Sequence, residues 1–278
     1  MTPSTTPDLF DLSERTVIIT GGAGLLGEQH ARAVAERNGI PVLLDVDRPR
    51  LERVSASLAS DLGANPEFFC GDITDSNFLN SVKSTLHQKF GRIDVLINNA
   101  ALNPHVSEDS SIPLTRLEHF PLSNWEREIN VGLTGAFLCS KVFGTVMSEQ
   151  GRGVIVNVSS DLGLIAPDQR LYRIPNFPDH RQPTKPVTYS VIKHGLIGLT
   201  RYLSTYWADM GVRANALCPG GVQTNQPEDF VERLSGLIPL ARMAQVGDYK
   251  GAIQFLCSDA SAYMNGACLT IDGGRSAW

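Results

Sequence analysis

The stretch Thr16-Val-Ile-Ile-Thr20-Gly21-Gly22-Ala23-Gly24-Leu25-Leu26-Gly27 decides how the rest of the chain is read. Its first five residues are all β-branched and predict a short strand. Four glycines then fall within seven positions, and a helical pattern continues to about Asn38. A strand, a glycine turn and a helix start form the arrangement that binds dinucleotide pyrophosphates. Small residues let the backbone come close, and the exposed N–H groups and helix dipole attract phosphate. The expected contacts are Gly21, Gly24, Leu26 and Gly27.

Outward from this turn, short apolar runs alternate with helical patterns. The runs fall at residues 16–20, 41–45, 67–70, 93–97, from Gly153, from Val212 and at 267–271. Seven strand candidates alternating with helices predict an α/β fold, a doubly wound parallel sheet with helices on both faces. No Pro/Gly/Ser-rich linker divides residues 1–278, so a single Rossmann-type domain is expected.

Composition sets the outer bounds. Hydrophobic residues make up 42% of the chain, enough for a sizeable core. A net charge of −5 gives no electrostatic case for nucleic acid or an anionic membrane. The five cysteines (Cys70, Cys139, Cys218, Cys257 and Cys268) contain no C-x-x-C pair, which suits a reducing compartment. Residues 1–15 hold no apolar signal core, and no later stretch reads as long and apolar enough to span a bilayer. A cytoplasmic location is therefore expected. No His/Cys/Asp cluster has ligand spacing, and no metal is expected.

Residues 187–195, Val-Thr-Tyr-Ser-Val-Ile-Lys-His-Gly, carry the chemistry. Tyr189 and Lys193 are four apart and share a helix face. A phenol with an ordinary pKa of about 10 is a poor base at neutral pH. An ammonium one turn away is expected to favour the phenolate, making an acid/base for an alcohol or carbonyl. Upstream, the strand from Gly153 ends in Ser159 and Ser160; downstream, the strand from Val212 ends in Pro219-Gly220. Together with the glycine-rich start, these motifs resemble the short-chain dehydrogenase/reductase family over nearly the whole chain.

The resemblance implies a catalytic set of Asn130, Ser160, Tyr189 and Lys193. Ser160 is chosen over Ser159 because two residues and then Gly163 follow it. Asn130 is expected to bend one long helix (122–150) and hold a water linked to the lysine. The cofactor side is expected to comprise Asp45, Asp72, Ile73, Asn99, Ala100, Pro219, Val222 and Thr224, together with Tyr189 and Lys193. An Asp72 that caps the following helix is the competing account of that residue. In the glycine turn, Leu25 stands where the family's shorter branch has a glycine. The spacing of Gly21, Gly24 and Gly27 matches the extended branch instead.

Asp45 ends the second strand, 18 positions after Gly27. A carboxylate there accepts hydrogen bonds from the adenosine ribose and repels a 2′-phosphate, so NAD is favoured over NADP. The expected reaction is hydride transfer between nicotinamide and a secondary alcohol or ketone. From Ser160 to Tyr189 is 29 positions, longer than the family's usual gap. The added segment 165–186 is basic, and Arg170 and Arg173 are candidate substrate contacts; a solvated surface loop or an oligomer contact fits its composition equally. Residues 225–240 are expected to cover the substrate. The segment from Ile165 and the ending Gly-Gly-Arg-Ser-Ala-Trp are similar to oxidoreductases of bacterial surface-sugar and flagellin-glycan pathways, which implies a sugar or sugar phosphate. A 3-oxoacyl-thioester reductase is the second reading. An epimerase or dehydratase, or an inactive NAD-binding regulator, on the same fold remains open. The family resemblance also implies a homodimer or homotetramer.

Overall fold

Strand β1 (Thr16–Thr20) is buried at all five positions, which is why every residue in it is β-branched. The computed structural model describes residues 8–102 and 114–278. Six further strands follow: β2 (Ile40–Asp45), β3 (Glu67–Cys70), β4 (Val95–Asn98), β5 (Gly153–Val158), β6 (Val212–Pro219) and β7 (Cys268–Ile271). All pair in parallel, in the order β3-β2-β1-β4-β5-β6-β7. The helices are α1 (Leu25–Ala35), α2 (Arg48–Leu62), α3 (Ser76–Phe90), α4 (Leu122–Ile129), α5 (Gly135–Glu149), α6 (Val187–Tyr206), α7 (Glu228–Ser235) and α8 (Lys250–Cys257).

Strand alternation divides the core between the two faces of the sheet. Val17 and Ile19 pack with α1, α2 and α8, through Val34, Leu58 and Leu256. Ile18 packs the other way with α3, α5 and α6, through Val82, Phe143 and Leu203. The expected α/β sheet covered on both faces is the observed one.

Local chemistry fixes the helix ends. The Asp47 side chain accepts from Arg50 N–H at the start of α2, and Gly63 closes that helix at φ +63°. Helix α3 is capped by Asp75 rather than Asp72. Asp72 accepts from Thr74 N–H and its hydroxyl, a tight local turn that leaves it facing the cleft described below.

The helix expected over residues 122–150 is interrupted. Between α4 and α5 lies a π-helical turn, Asn130–Thr134, in which Gly135 N–H donates to the Asn130 carbonyl. The whole rod, Leu122–Glu149, is 28 residues and is long and apolar enough to cross a membrane by length and composition, contrary to the expectation above. Its apolar character is explained by packing: Cys139, Phe143 and Met147 are fully buried in the core against the sheet.

His30 on α1 is fully buried, and burial brings its pKa down to about 4. Between pH 6.5 and 4 the unfolded chain therefore binds a proton that the native state refuses. Stability present at neutral pH should be lost as pH falls through that window, by about 3 kcal/mol in all. Urea unfolding of wild type and His30→Gln from pH 7 to pH 4 checks this; the variant should show a flatter profile, and equal slopes would exclude the assignment.

Candidate active site

The strand order reverses between β1 and β4, and a cavity of about 810 Å³ opens beyond the carboxyl ends of the strands there. Gly21, which leaves β1 at φ +61°, forms one lip. A Cβ on it would stand 2.9 Å from Ala100 Cα, so the turn and the end of β4 meet backbone to backbone. Gly27 does not line the cavity. It lies beneath the turn, where a Cβ would come within 2.1 Å of the Gly21 carbonyl oxygen, so it lets α1 pack against the turn. Gly24 starts α1 without a side-chain cap and leaves first-turn N–H groups for a ligand. Leu25 is half exposed along the cavity wall and Leu26 lines it, so the leucine in place of a glycine requires no change in the turn.

Thr20 and Asn99 hold this lip together. Thr20 Oγ1 accepts from the Asn99 and Ala100 N–H groups, and Asn99 Nδ2 donates to the Thr20 and Gly21 carbonyls. Asp45 reaches the cavity from the end of β2, with Oδ2 accepting from Ala23 N–H at 3.1 Å. Of the two arginines that could offset its charge, Arg50 lines the same cavity and pairs with Asp47 at 3.1 Å, and Arg48 pairs with Glu52 at 3.7 Å. Asp72 and Ile73 line the same end, and Pro219, Val222 and Thr224 line the opposite side. The turn after β6 is propped from below by the buried Tyr249, whose hydroxyl donates to the Gly220 carbonyl at 2.9 Å. These residues fit a dinucleotide: a glycine cradle without Cβ atoms, an uncapped helix start and a carboxylate at the ribose position.

Helix α6 brings Tyr189 and Lys193 to the cavity. It is fixed by a buried chain of amides, in which Asn98 Nδ2 donates to Asn157 Oδ1 at 2.8 Å and Asn157 Nδ2 to Thr200 Oγ1 at 2.8 Å. The buried Lys193 ammonium donates to the Val158 carbonyl at the end of β5, 2.8 Å away. Ser159 donates to the Lys193 carbonyl at 2.8 Å, which is the structural part expected of it. Ser160 faces the cavity, and its hydroxyl donates to Asp161 Oδ1 at 2.7 Å. Asp161 Oδ2 in turn accepts from Arg275 in the segment after β7, also at 2.7 Å, and both charges are buried.

The electrostatics depart from expectation. Burial pushes the Tyr189 phenol up from its ordinary pKa, with Ser160 opposing that shift. Lys193 does not bring it down, because its ammonium is spent on the Val158 carbonyl and lies 5.7 Å from the ring centroid. Burial, followed by the charge of Lys185, lowers Lys193 itself to about 8. A second ammonium, Lys185, stands closer to the phenol ring, 3.9 Å from its centroid.

Besides Gly27, three expected site residues are not brought together with the rest. Asn130 opens the π turn, but its side chain is exposed; Val131 lines the cavity in its place, and the buried Gly132 faces Ile192. Arg170 and Arg173 also point outward, their side chains 81% and 62% exposed, and pair with Asp168 and Asp179. The residues of segment 165–186 that do enter the cavity are Tyr172 and Lys185. Sequence reasoning missed Asp161 and Arg275 as site residues and counted Lys185 only as one of the basic residues of segment 165–186. The spacing held one signal: Lys185 precedes Tyr189 by the same four positions that separate Tyr189 from Lys193.

Comparison with known proteins agrees with this geometry. The family profile described as short chain dehydrogenase matches residues 15–172, and one described as enoyl-(acyl carrier protein) reductase matches residues 179–276. A cis-4-hydroxycyclohexanecarboxylate dehydrogenase of Sinomonas cyclohexanicum is 32% identical over 269 residues, covering 95% of this chain and 98% of its own. A D-threitol dehydrogenase of Mycolicibacterium smegmatis is 31% identical over 270 residues, covering 95% and 94%. The crystal structure of a gluconate 5-dehydrogenase from Burkholderia cenocepacia, in complex with NADP and tartrate, superimposes with a TM-score of 0.84 at 25% identity, covering 98% of each chain. The chain is an oxidoreductase and belongs to the short-chain dehydrogenase/reductase family.

Proposed function

We propose that the protein interconverts a secondary alcohol and its ketone with a nicotinamide cofactor, NAD in preference to NADP, and that Tyr189 is the general acid/base. The observation that carries this reading is the placement of Ser160, Tyr189 and Lys193 in one cavity with the glycine turn that starts at Gly21. The bound nicotinamide would supply or take up the hydride at the carbinol carbon. Gly21, Gly24 and Leu26 would hold the pyrophosphate, Asp45 the adenosine ribose, and Asp72, Ile73, Asn99 and Ala100 the adenine end and the floor. Lys193, Pro219, Val222 and Thr224 would hold the nicotinamide half.

In this reading Tyr189 gives a proton to the ketone oxygen in reduction, or removes the hydroxyl proton in oxidation. Burial pushes the phenol further above its ordinary value, which favours the neutral form and so the proton-donating role. Ser160 supports the same oxygen. Its hydroxyl proton is directed at Asp161 and its oxygen already accepts from Leu162 N–H, so one lone pair remains to accept from a substrate hydroxyl, and donation to a ketone oxygen requires the proton to turn away from Asp161. Threitol, gluconate and 4-hydroxycyclohexanecarboxylate, named for the relatives, each contain a secondary carbinol. That common feature supports a polyol-, sugar- or hydroxy-acid-like substrate here. Exposed Phe137 on α5 and Val191, Tyr202 and Tyr206 on α6 support a homo-oligomer formed through these helices.

Two outcomes are expected. Replacing Tyr189 by Phe should lower kcat roughly 10²- to 10⁴-fold while leaving NAD affinity within about twofold, as followed by NADH absorbance and by titration. Normal turnover in that variant would refute the assignment. Replacing Asp45 by Asn should raise the NADP-to-NAD ratio of kcat/KM by about tenfold, equivalent to ~1.4 kcal/mol. An unchanged ratio would show that the carboxylate does not set the preference.

A further inference from the structure

Segment 165–186 places one cation inside the cavity. Its two exposed arginines are paired with acids, as are Arg116 with Glu118 and Arg233 with Asp229 nearby. Lys185 differs from them. It lines the cavity, and among the described residues no carboxylate lies within ion-pair distance of its Nζ. The carboxylate at this end of the cavity, Asp161, is already neutralised by Arg275. Among the described residues the substrate end is therefore left with an ammonium in no ion pair, which Asp161 and Glu128 influence only from longer range, beside an apolar wall of Tyr172, Phe230, Leu234 and Met243. Low-dielectric walls strengthen the attraction of such a charge for an anion. Burial lowers Lys185 to about 8, while Asp161 and Glu128 hold it up, so it carries its charge at neutral pH.

Resting on the reading of a secondary-alcohol dehydrogenase, we propose that the substrate carries an anionic group, a carboxylate or a phosphate, and that Lys185 binds it. The ammonium lies over the ring of Tyr189 rather than at the outer rim, so the anion is held close to the phenol that meets the carbinol oxygen. A compact hydroxy acid, aldonate or short sugar phosphate satisfies both contacts; a neutral polyol leaves the ammonium desolvated and unpaired. Lys185 is thus the residue that selects charge, a task first assigned to Arg170 and Arg173. Lys185 Nζ makes no hydrogen bond among the described residues, so its replacement leaves no protein group without a partner.

The test compares ligands on the NAD-saturated wild type, Lys185→Met and Lys185→Arg. Calorimetry measures the affinity of tartrate and gluconate as carboxylates, glucose 6-phosphate and inorganic phosphate as phosphates, and threitol as the neutral reference. At least one anion should bind wild type at least tenfold more tightly than threitol. That ratio should fall about tenfold in Lys185→Met and be retained in Lys185→Arg, with the melting midpoint unchanged in both. The carboxylate and phosphate arms identify which anion is preferred. No preference for any anion in wild type, or an equal loss for anion and threitol in Lys185→Met, overturns the proposal; the second result would place Lys185 with Tyr189 rather than with substrate. Parallel NADH assays separate the two layers. Lys185-dependent anion binding without turnover of any alcohol would count against the dehydrogenase reading and leave the anion site standing.

Discussion

The site depends on how helix α6 is tied to the sheet. Asn98 and Asn157, side by side on β4 and β5, are polar residues inside strands whose other positions are apolar and buried. Their amides would be costly without partners: Asn157 finds them in Asn98 and in Thr200 on α6, and Asn98 Nδ2 also donates to Ser140 on α5, while Asn98 Oδ1 has no partner among the described residues. Apolar packing alone would let α6 slide or roll against a flat sheet face. A directional chain of amides fixes one position, and with it the height of Tyr189 and Lys193 over the strand ends. The bond from Lys193 to Val158 extends the same arrangement to the mouth of the cavity.

The second fixed edge is the glycine turn. Thr20 and Asn99 clip β1 to the end of β4, so the cradle for a dinucleotide and the floor under a nicotinamide are one rigid piece. Leu25 shows how far such a turn tolerates departures from pattern. Its side chain runs along the cavity wall toward solvent, whereas Gly21 and Gly27 face backbone at contact distance and Gly22 is crowded by Leu43 and the Ile19 carbonyl.

Much of this was legible in the sequence, because strands, glycines and the Tyr189–Lys193 spacing act locally. The buried five-residue β1, the turn after it and the strand before Ser160 all follow from short-range periodicity. What was not legible depends on rotation and on distant partners. A π turn adds one residue to a helical repeat, which is invisible in spacing, and Asn130, which opens it, is exposed. Arg170 and Arg173 look like substrate contacts in a count of charges, yet Asp168 and Asp179 draw them to the surface. The Tyr189 phenol was expected to be made acidic by its neighbour; burial, which sequence position does not report, outweighs that neighbour. Arg275 is 114 positions from Asp161, too far for any local pattern to connect them.

That long-range pair bears on the order in which the site can form. Asp161 emerges during synthesis with β5, whereas its counter-charge follows β7, the last strand in chain order. Until β7 docks, the carboxylate beside Ser160 lacks its buried counter-charge and must stay hydrated. A partly synthesised chain can therefore complete its nucleotide-binding half while the reacting centre remains unassembled. Closure of the sheet and completion of that centre are one event.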